Sequence, residues 1–576
     1  MHTRCLALMF VIAVVVEPAS DRAGAQAQPV SAPADLLILN GKVYPGDGAG
    51  FTQAVAVRGP RIVAVGTSED LARLRGSNTQ VIDAHGGAVM PGFNDAHAHM
   101  LSGGLEKENV NLDEAHTLNE VQSRIRLFSV AHADRSWIRG RGWAYEPFGD
   151  GLPTRQQLDA VVSDRPAVMR CYDGHSVWVN SRALALAGIT RDTADPPNGT
   201  IVRDPETGEP TGLLKESSAS LVTRLMPKPT REEQRRGLRA AIADGLKVGV
   251  TSVTEASGTP EDFEVFDEAR RAGDLSARVY YALLVTPGFT QTDADRFDAV
   301  WKAHPDTPLL KTGIVKMFMD GVIETNTAVM LAPYVNVPIT GEPNYAREAF
   351  NTIVQMMDRR GWQIMVHAIG DGAVRMVLDG FERVAAIGPA PARGRRHRIE
   401  HIETVDLADV PRFGTLGVIA SMHPVSGFTP PGRPAPTPPG GAVDVWAGNL
   451  GPERAARGGL WKSISESGGR VVFGSDWPVA TIDAMGRVTH IVNQGQGAVG
   501  TDQRLSMTAA IDRYTSGPAY ATFDEKEKGT LAPGMLADIV VMATDVFANP
   551  PASRADIAVQ ATVFDGRVVY RAAAAR

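Results

Sequence analysis

Met90-Pro-Gly-Phe-Asn-Asp-Ala-His-Ala-His-Met100 reads as a strand that starts after a Pro-Gly break and ends on two histidines one residue apart. Residues i and i+2 of a strand share a face, so Phe93, Asp95, His97 and His99 all point one way, as a strand facing an enclosed interior requires. Two imidazoles converging on one point suit a metal ion, and zinc is the default ion for nitrogen ligands of this kind. Taken alone, His-x-His reads equally well as a pair of ordinary strand histidines, so the rest of the chain has to decide.

The middle of the chain alternates short apolar runs with helical stretches, the pattern of βα units repeated around a parallel sheet. The expected strands are Thr312 to Phe318, Gln363 to His367, Arg398 to His401, Val418 to Met422 and Arg470 to Ser475. Four of the five end on or near a residue able to bind a metal. In an eight-stranded barrel the active site gathers at the carboxyl ends of the strands. The expected fold is therefore an α/β protein with a (β/α)8 TIM barrel over residues 91–528.

His99 and Lys316 lie 217 residues apart, whereas three βα units need only about 100 in a barrel of ~250 residues. An inserted lobe at about 110–250 is expected to account for the excess and to sit over the barrel mouth. Its Arg139-Gly-Arg-Gly-Trp143 and Asp173-Gly-His-Ser176 segments read as loops facing the site, with Trp143 and His175 as candidate substrate contacts. Short strands near the start, Leu36 to Tyr44 and Ala54 to Gly66, are echoed by Ala537 to Met542 and Ala561 to Tyr570. They predict one composite β-sandwich domain assembled from residues 34–90 and 529–572.

Lys316 lies in the apolar strand Gly313-Ile-Val-Lys-Met-Phe-Met-Asp-Gly321. An unpaired ammonium there is costly, so this lysine should be modified, neutral or paired. His367 closes Ile364-Met-Val-His367, His401 closes Arg398-Ile-Glu-His401, and Asp476 follows Val471-Val-Phe-Gly-Ser475.

In this order and wording the chain resembles the amidohydrolase superfamily of metal-dependent hydrolases. Pro-Gly-Phe-Asn-Asp-Ala-His-Ala-His, Lys-Met-Phe-Met-Asp-Gly, Val-His-Ala-Ile-Gly-Asp and Gly-Ser-Asp-Trp-Pro-Val are similar to its YtcJ-like branch, which includes N-substituted formamide deformylases. The resemblance implies a site of two divalent ions, expected to be Zn2+ with other transition metals accepted. His97, His99 and Asp476 would hold one ion, His367 and His401 the other, and a carboxylated Lys316 would bridge them. It further implies a metal-activated hydroxide as nucleophile, with Asp476 taking its proton and delivering it to the leaving nitrogen.

Other polar residues are expected around this set. His423, after strand seven and before Pro424, joins Trp143 and His175 as a candidate substrate contact. Asp320 is expected to support the metal strand through hydrogen bonds. His397 shares parity with His401 but lies a strand length earlier, at the far end of the barrel. The proline-rich stretch Thr429 to Gly441 is a loop on the catalytic side, either covering substrate or merely superficial.

Arg4, the apolar run Cys5 to Val16 and the small residues Ala23 to Ala27 have the layout of a secretory signal over residues 1–27, too short to span a bilayer. Its removal leaves Cys171 alone, so no internal disulfide is expected, and the protein is expected to be periplasmic or secreted. A net charge of -7 offers no basic patch for nucleic acid. The expected partner is a small molecule, with no membrane after signal removal and a homodimer left open. The function expected is hydrolysis of a non-peptide carbon–nitrogen bond, amide or N-formyl in type. The alternatives are ester or lactone hydrolysis at the same site, or a degenerate barrel that only binds.

Overall fold

The computed structural model describes residues 32–149, 152–172, 174–424, 445–493, 502–552 and 556–573. Eight parallel strands lie side by side in chain order: Phe93–Ala98, Val250–Gly258, Arg278–Leu284, Leu310–Phe318, Gln363–Ala368, Arg398–His401, Ile419–Met422 and Arg470–Phe473. Such strands are buried on both faces, which is why they read as near-continuous apolar runs. All six residues of Gln363–Ala368 are buried.

The sheet closes between strand one and the segment after strand eight. Ala98 bridges Trp477, the His99 N–H donates to the Trp477 carbonyl at 2.7 Å, and the Asp476 N–H donates to the His97 carbonyl at 2.7 Å. Backbone bonds at this seam thus set His97, His99 and Asp476 side by side before any side chain is considered.

Three successive barrel helices, Arg231–Lys247, Pro260–Arg271 and Gln291–Ala303, start at Thr230, Thr259 and Thr290. Each threonine hydroxyl accepts from the amide three residues on, and the acidic side chain there bonds back to the threonine. These capping boxes satisfy amides that a helix start leaves unpaired. Helix Arg347–Arg359 buries Phe350, Ile353, Val354 and Met357, a spacing that gathers them on one face against the barrel.

The inserted lobe carries a six-stranded sheet running from Val110–Asn111 through Ile138–Trp143, Ala167–Cys171, Ser176–Val179 and Pro210–Glu216 to Gly199–Arg203 at its edge. It ends earlier than the expected 250. Helix Arg231–Lys247 belongs to the barrel, since Leu238, Ala241, Ile242 and Leu246 join the barrel core. That helix crosses helix Met100–Glu106 at paired glycines, where a Cβ on Gly104 would lie 2.1 Å from the Gly237 carbonyl oxygen.

The stretch around Arg139 to Trp143 is a strand inside the lobe sheet, not a loop facing the site. Trp143 is wholly buried; its indole N–H donates to the Met169 carbonyl at 2.7 Å, and its ring meets Tyr145 and Phe148 edge-on. The expectation that Trp143 contacts substrate is corrected: a separate lobe needs a core of its own, and this tryptophan is part of it.

Strands from the two chain regions pair directly at the other end of the molecule. Lys42–Val43 and Ala88–Pro91 join Ile539–Met542, Val559–Phe564 and Arg567–Arg571 in one five-stranded sheet. A four-stranded sheet built from residues 34–83 packs on it through Leu36, Ile38, Val55, Val89, Ile539 and Val563. Arg278, at the start of barrel strand three, anchors this domain with bonds of 2.6 and 2.9 Å to Asp538 and 2.9 Å to Asp565.

No helix among the described residues is long and apolar enough to cross a membrane. The expected signal at 1–27 and the proline-rich stretch 429–441 lie outside the described residues.

Candidate metal centre

All six expected ligands line one cavity of about 160 Å3 at the carboxyl ends of the barrel strands. His97 lies on strand one and His99 just beyond it; Lys316 is on strand four, His367 on five, His401 at the end of six, and Asp476 after eight. His99 Nε2 lies 3.2 Å and His97 Nε2 3.4 Å from Asp476 Oδ1. One ligand atom from each of His97, His99 and Asp476 falls within 4.8 Å of the others, close enough for a single ion. The His367 and His401 rings are 4.3 Å apart, and those of His97 and His401 5.1 Å.

Strand alternation alone would not bring His401 in, because its neighbour Glu400 already faces the interior. His401 has φ 74°, a left-handed conformation that breaks the alternation and lets consecutive side chains both point inward. Asp476 is also left-handed, at φ 55°. Non-glycine residues held this way cost energy and gather at functional sites.

Burial pushes the His97 and His401 imidazoles well below their ordinary range and His367 down to about 3, so all three are neutral lone-pair donors. Burial works the other way on Asp476, but the His99 hydrogen bond and the nearby His423, His99 and Lys316 charges hold it down at about 2, as a carboxylate. Lys316 is wholly enclosed, and burial lowers its ammonium to about 8. Its Nζ lies 3.3 Å from His97 Nε2 and 4.5 Å from the Phe318 ring centre, with no carboxylate ion pair among the described residues.

These groups fit a cation. His367 Nδ1 is buried without a hydrogen-bond partner among the described residues, while its Nε2 lies 3.1 Å from the Gly321 carbonyl oxygen. A ring held by one nitrogen while the other is left unmatched is how a metal-binding histidine is presented. A wholly enclosed Lys316 whose ammonium is disfavoured by burial agrees with the same reading.

The supporting residues were only partly foreseen. The Asp320 carboxylate accepts from the Val329, Ile369 and Gly370 amides at 2.9, 3.0 and 2.9 Å, and its Oδ1 lies 3.6 Å from His367 Nε2. Glu400 was missed. Its Oε2 is 2.7 Å from His97 Nδ1, and Arg398 clamps the same carboxylate at 2.9 and 3.0 Å. The signal was available, since an acidic residue in Arg398-Ile-Glu-His401 poses the same burial problem that singled out Lys316.

His175 lines the cavity from the lobe, with Nδ1 3.0 Å from Glu216 Oε2. It also borders a cleft of about 1160 Å3 between lobe and barrel, together with Tyr172, Glu216, Phe318 and Thr325. Glu216, another residue not foreseen, ties the two bodies together by accepting from Thr325 Oγ1 at 3.0 Å. His423 lines neither of these but an adjoining space of about 30 Å3 beside His401 and Asp476. That is room for about one water molecule, so the expectation that His423 contacts substrate is corrected. His397, as expected, is distant from the centre, bound to Asp358 at 3.1 Å.

Residues 80–570 match the amidohydrolase family. Protein LONG AFTER FAR-RED 3 of Arabidopsis thaliana is 31% identical over 559 residues, covering 94% of this chain and 92% of its own. N-substituted formamide deformylase of Arthrobacter pascens is 26% identical over 550 residues, covering 93% of this chain and 98% of its own. Among solved structures, an uncharacterized metal-dependent hydrolase from Pyrococcus horikoshii OT3 shares the fold, with a TM-score of 0.70 at 24% identity over 89% of this chain and 98% of that one.

Proposed function

The chain belongs to the amidohydrolase family, as its motifs suggested, and from that premise we propose that it hydrolyses an amide or N-formyl carbon–nitrogen bond in a small molecule. The observation that carries this reading is the convergence of His97, His99 and ionised Asp476 at the barrel seam, beside a cavity. The N-substituted formamide deformylase relative supports the bond type.

His97, His99 and Asp476 would hold one divalent ion, with zinc the default choice for this donor set. His367 and His401 would hold a second, with Lys316 between the two as a carbamate. When bound, the metal supplies Lewis acidity, which makes water a nucleophile at neutral pH and polarises the scissile carbonyl.

The chain's own groups do the rest. As water adds to the carbonyl carbon, Asp476 accepts its proton on a carboxylate oxygen, and when the carbon–nitrogen bond breaks it returns that proton to the leaving nitrogen. The products are a carboxylic acid, formic acid for an N-formyl substrate, and an amine. Enclosure by the barrel mouth and the lobe strengthens each of these electrostatic contacts by excluding bulk water. His175, held by Glu216, would orient the substrate from the lobe side of the cavity. The signal-like layout of residues 1–27 supports action in the periplasm or outside the cell.

The test is a hydrolysis screen with metal-loaded protein over N-formyl amines, N-acyl amines, amino-acid amides and simple esters. Amine release that stops on chelation and returns with metal is the expected result. Turnover of esters alone, with the same metal dependence, would overturn the carbon–nitrogen reading.

A further inference from the structure

We propose that His423 is a ligand of the metal centre, a strand-seven contribution beside His401. The inference rests on the metal-centre reading above and adds a residue to it.

His423 directly follows barrel strand seven, whose Met422 is in register with His401 on strand six. Its ring centre is 4.5 Å from that of His401 and 4.7 Å from that of His97. A nitrogen from each of His97, His401 and His423 lies within 4.8 Å of the other two. His97 has its Nε2 free of Glu400, which holds Nδ1.

Three roles compete for such a residue. A substrate contact is excluded by space, since the hollow it borders, about 30 Å3, takes a water or an ion and no larger group. A satisfied core histidine is excluded by its bonding: both ring nitrogens are buried with no partner of ordinary hydrogen-bond geometry among the described residues. A neutral imidazole left that way forfeits a donor and an acceptor at once. A ligand role accounts for both facts.

The test uses the full chain, stripped with a chelator and reloaded. Wild type, His423→Ala and His423→Asn are compared for zinc affinity by chelator competition, for metal-to-protein ratio, and for the visible absorption of the cobalt-loaded form. Both variants should hold less metal, or bind an ion at least about tenfold more weakly, with an altered cobalt spectrum. Unchanged affinity, ratio and spectrum would overturn the assignment.

A measurement on the wild type guards against a variant that fails to fold. With 15N-histidine labelling and 113Cd loading, His423 should join His97, His99, His367 and His401 in showing cadmium–nitrogen coupling. Absence of coupling from His423 while the others show it overturns the inference alone. Absence of any metal binding by the wild type overturns the metal reading itself.

Discussion

Glu400 reaches across the barrel from strand six to His97 on strand one, its Oε2 2.7 Å from Nδ1, with both side chains wholly buried. A carboxylate only accepts, so His97 Nδ1 carries the hydrogen and its Nε2 lone pair faces Asp476 and Lys316. Replacing Glu400 by glutamine keeps the shape but weakens the hold on that tautomer. Metal titration of Glu400→Gln should show affinity lowered about 10–100-fold. Glu400→Ala should go further and cost about 3–5 kcal/mol of stability in denaturant unfolding, because Arg398 is left buried without its counter-charge. Wild-type metal affinity in Glu400→Gln would mean that Glu400 serves Arg398 only.

Asp476 carries two roles, ligand and proton carrier, which asparagine separates. An amide oxygen can still face His99 and a metal but takes no proton. Asp476→Asn should therefore keep the fold and part of the metal while turnover falls by about 100-fold or more. Full activity at the wild-type metal content would remove Asp476 from the proton transfer.

What could be read from the sequence was whatever obeys a regular period. Strand parity paired His97 with His99, burial in an apolar strand singled out Lys316, and the strand-end rule for barrels gathered them with His367, His401 and Asp476. What stayed hidden breaks that period. Glu400 and His401 are consecutive, so alternation lets only one face inward, and the left-handed turn at His401 that admits both leaves no mark in the residue types. Trp143 was misread for another reason: the two glycines before it suggested a loop, whereas Gly140 is needed in a packed strand, where a Cβ would strike Met169 at 2.5 Å. A tryptophan buried beside glycine looks the same in sequence whether the core belongs to the lobe or to the site.

That correction has a measurable consequence. Trp143→Ala opens a cavity in the lobe core and should destabilise the protein by about 3–5 kcal/mol. Assayed well below its unfolding temperature, the variant should keep the wild-type KM, since the ring faces no part of the 160 Å3 cavity or the cleft. A KM raised severalfold with stability unchanged would restore Trp143 to the substrate.

Glu255 gives the fold a pH dependence of defined sign. It lies within barrel strand two, almost wholly buried, and accepts from the Met100 amide at 2.7 Å, and burial raises its carboxyl to about 8. In the unfolded chain the group titrates near its ordinary 4.5. Between those values the folded protein keeps a proton that the unfolded chain has released, so this contribution to stability is present below about pH 4.5 and drains away as pH rises towards 8. The slope cannot exceed about 1.4 kcal/mol per pH unit for one group. Glu255→Gln keeps an acceptor for the Met100 amide and has no proton to lose. Its unfolding temperature should therefore gain on the wild type steadily from pH 5 to pH 8, other titrations being common to both proteins. A constant difference across that range would show that the amides at the start of helix Met100–Glu106 hold Glu255 ionised, and that burial does not win.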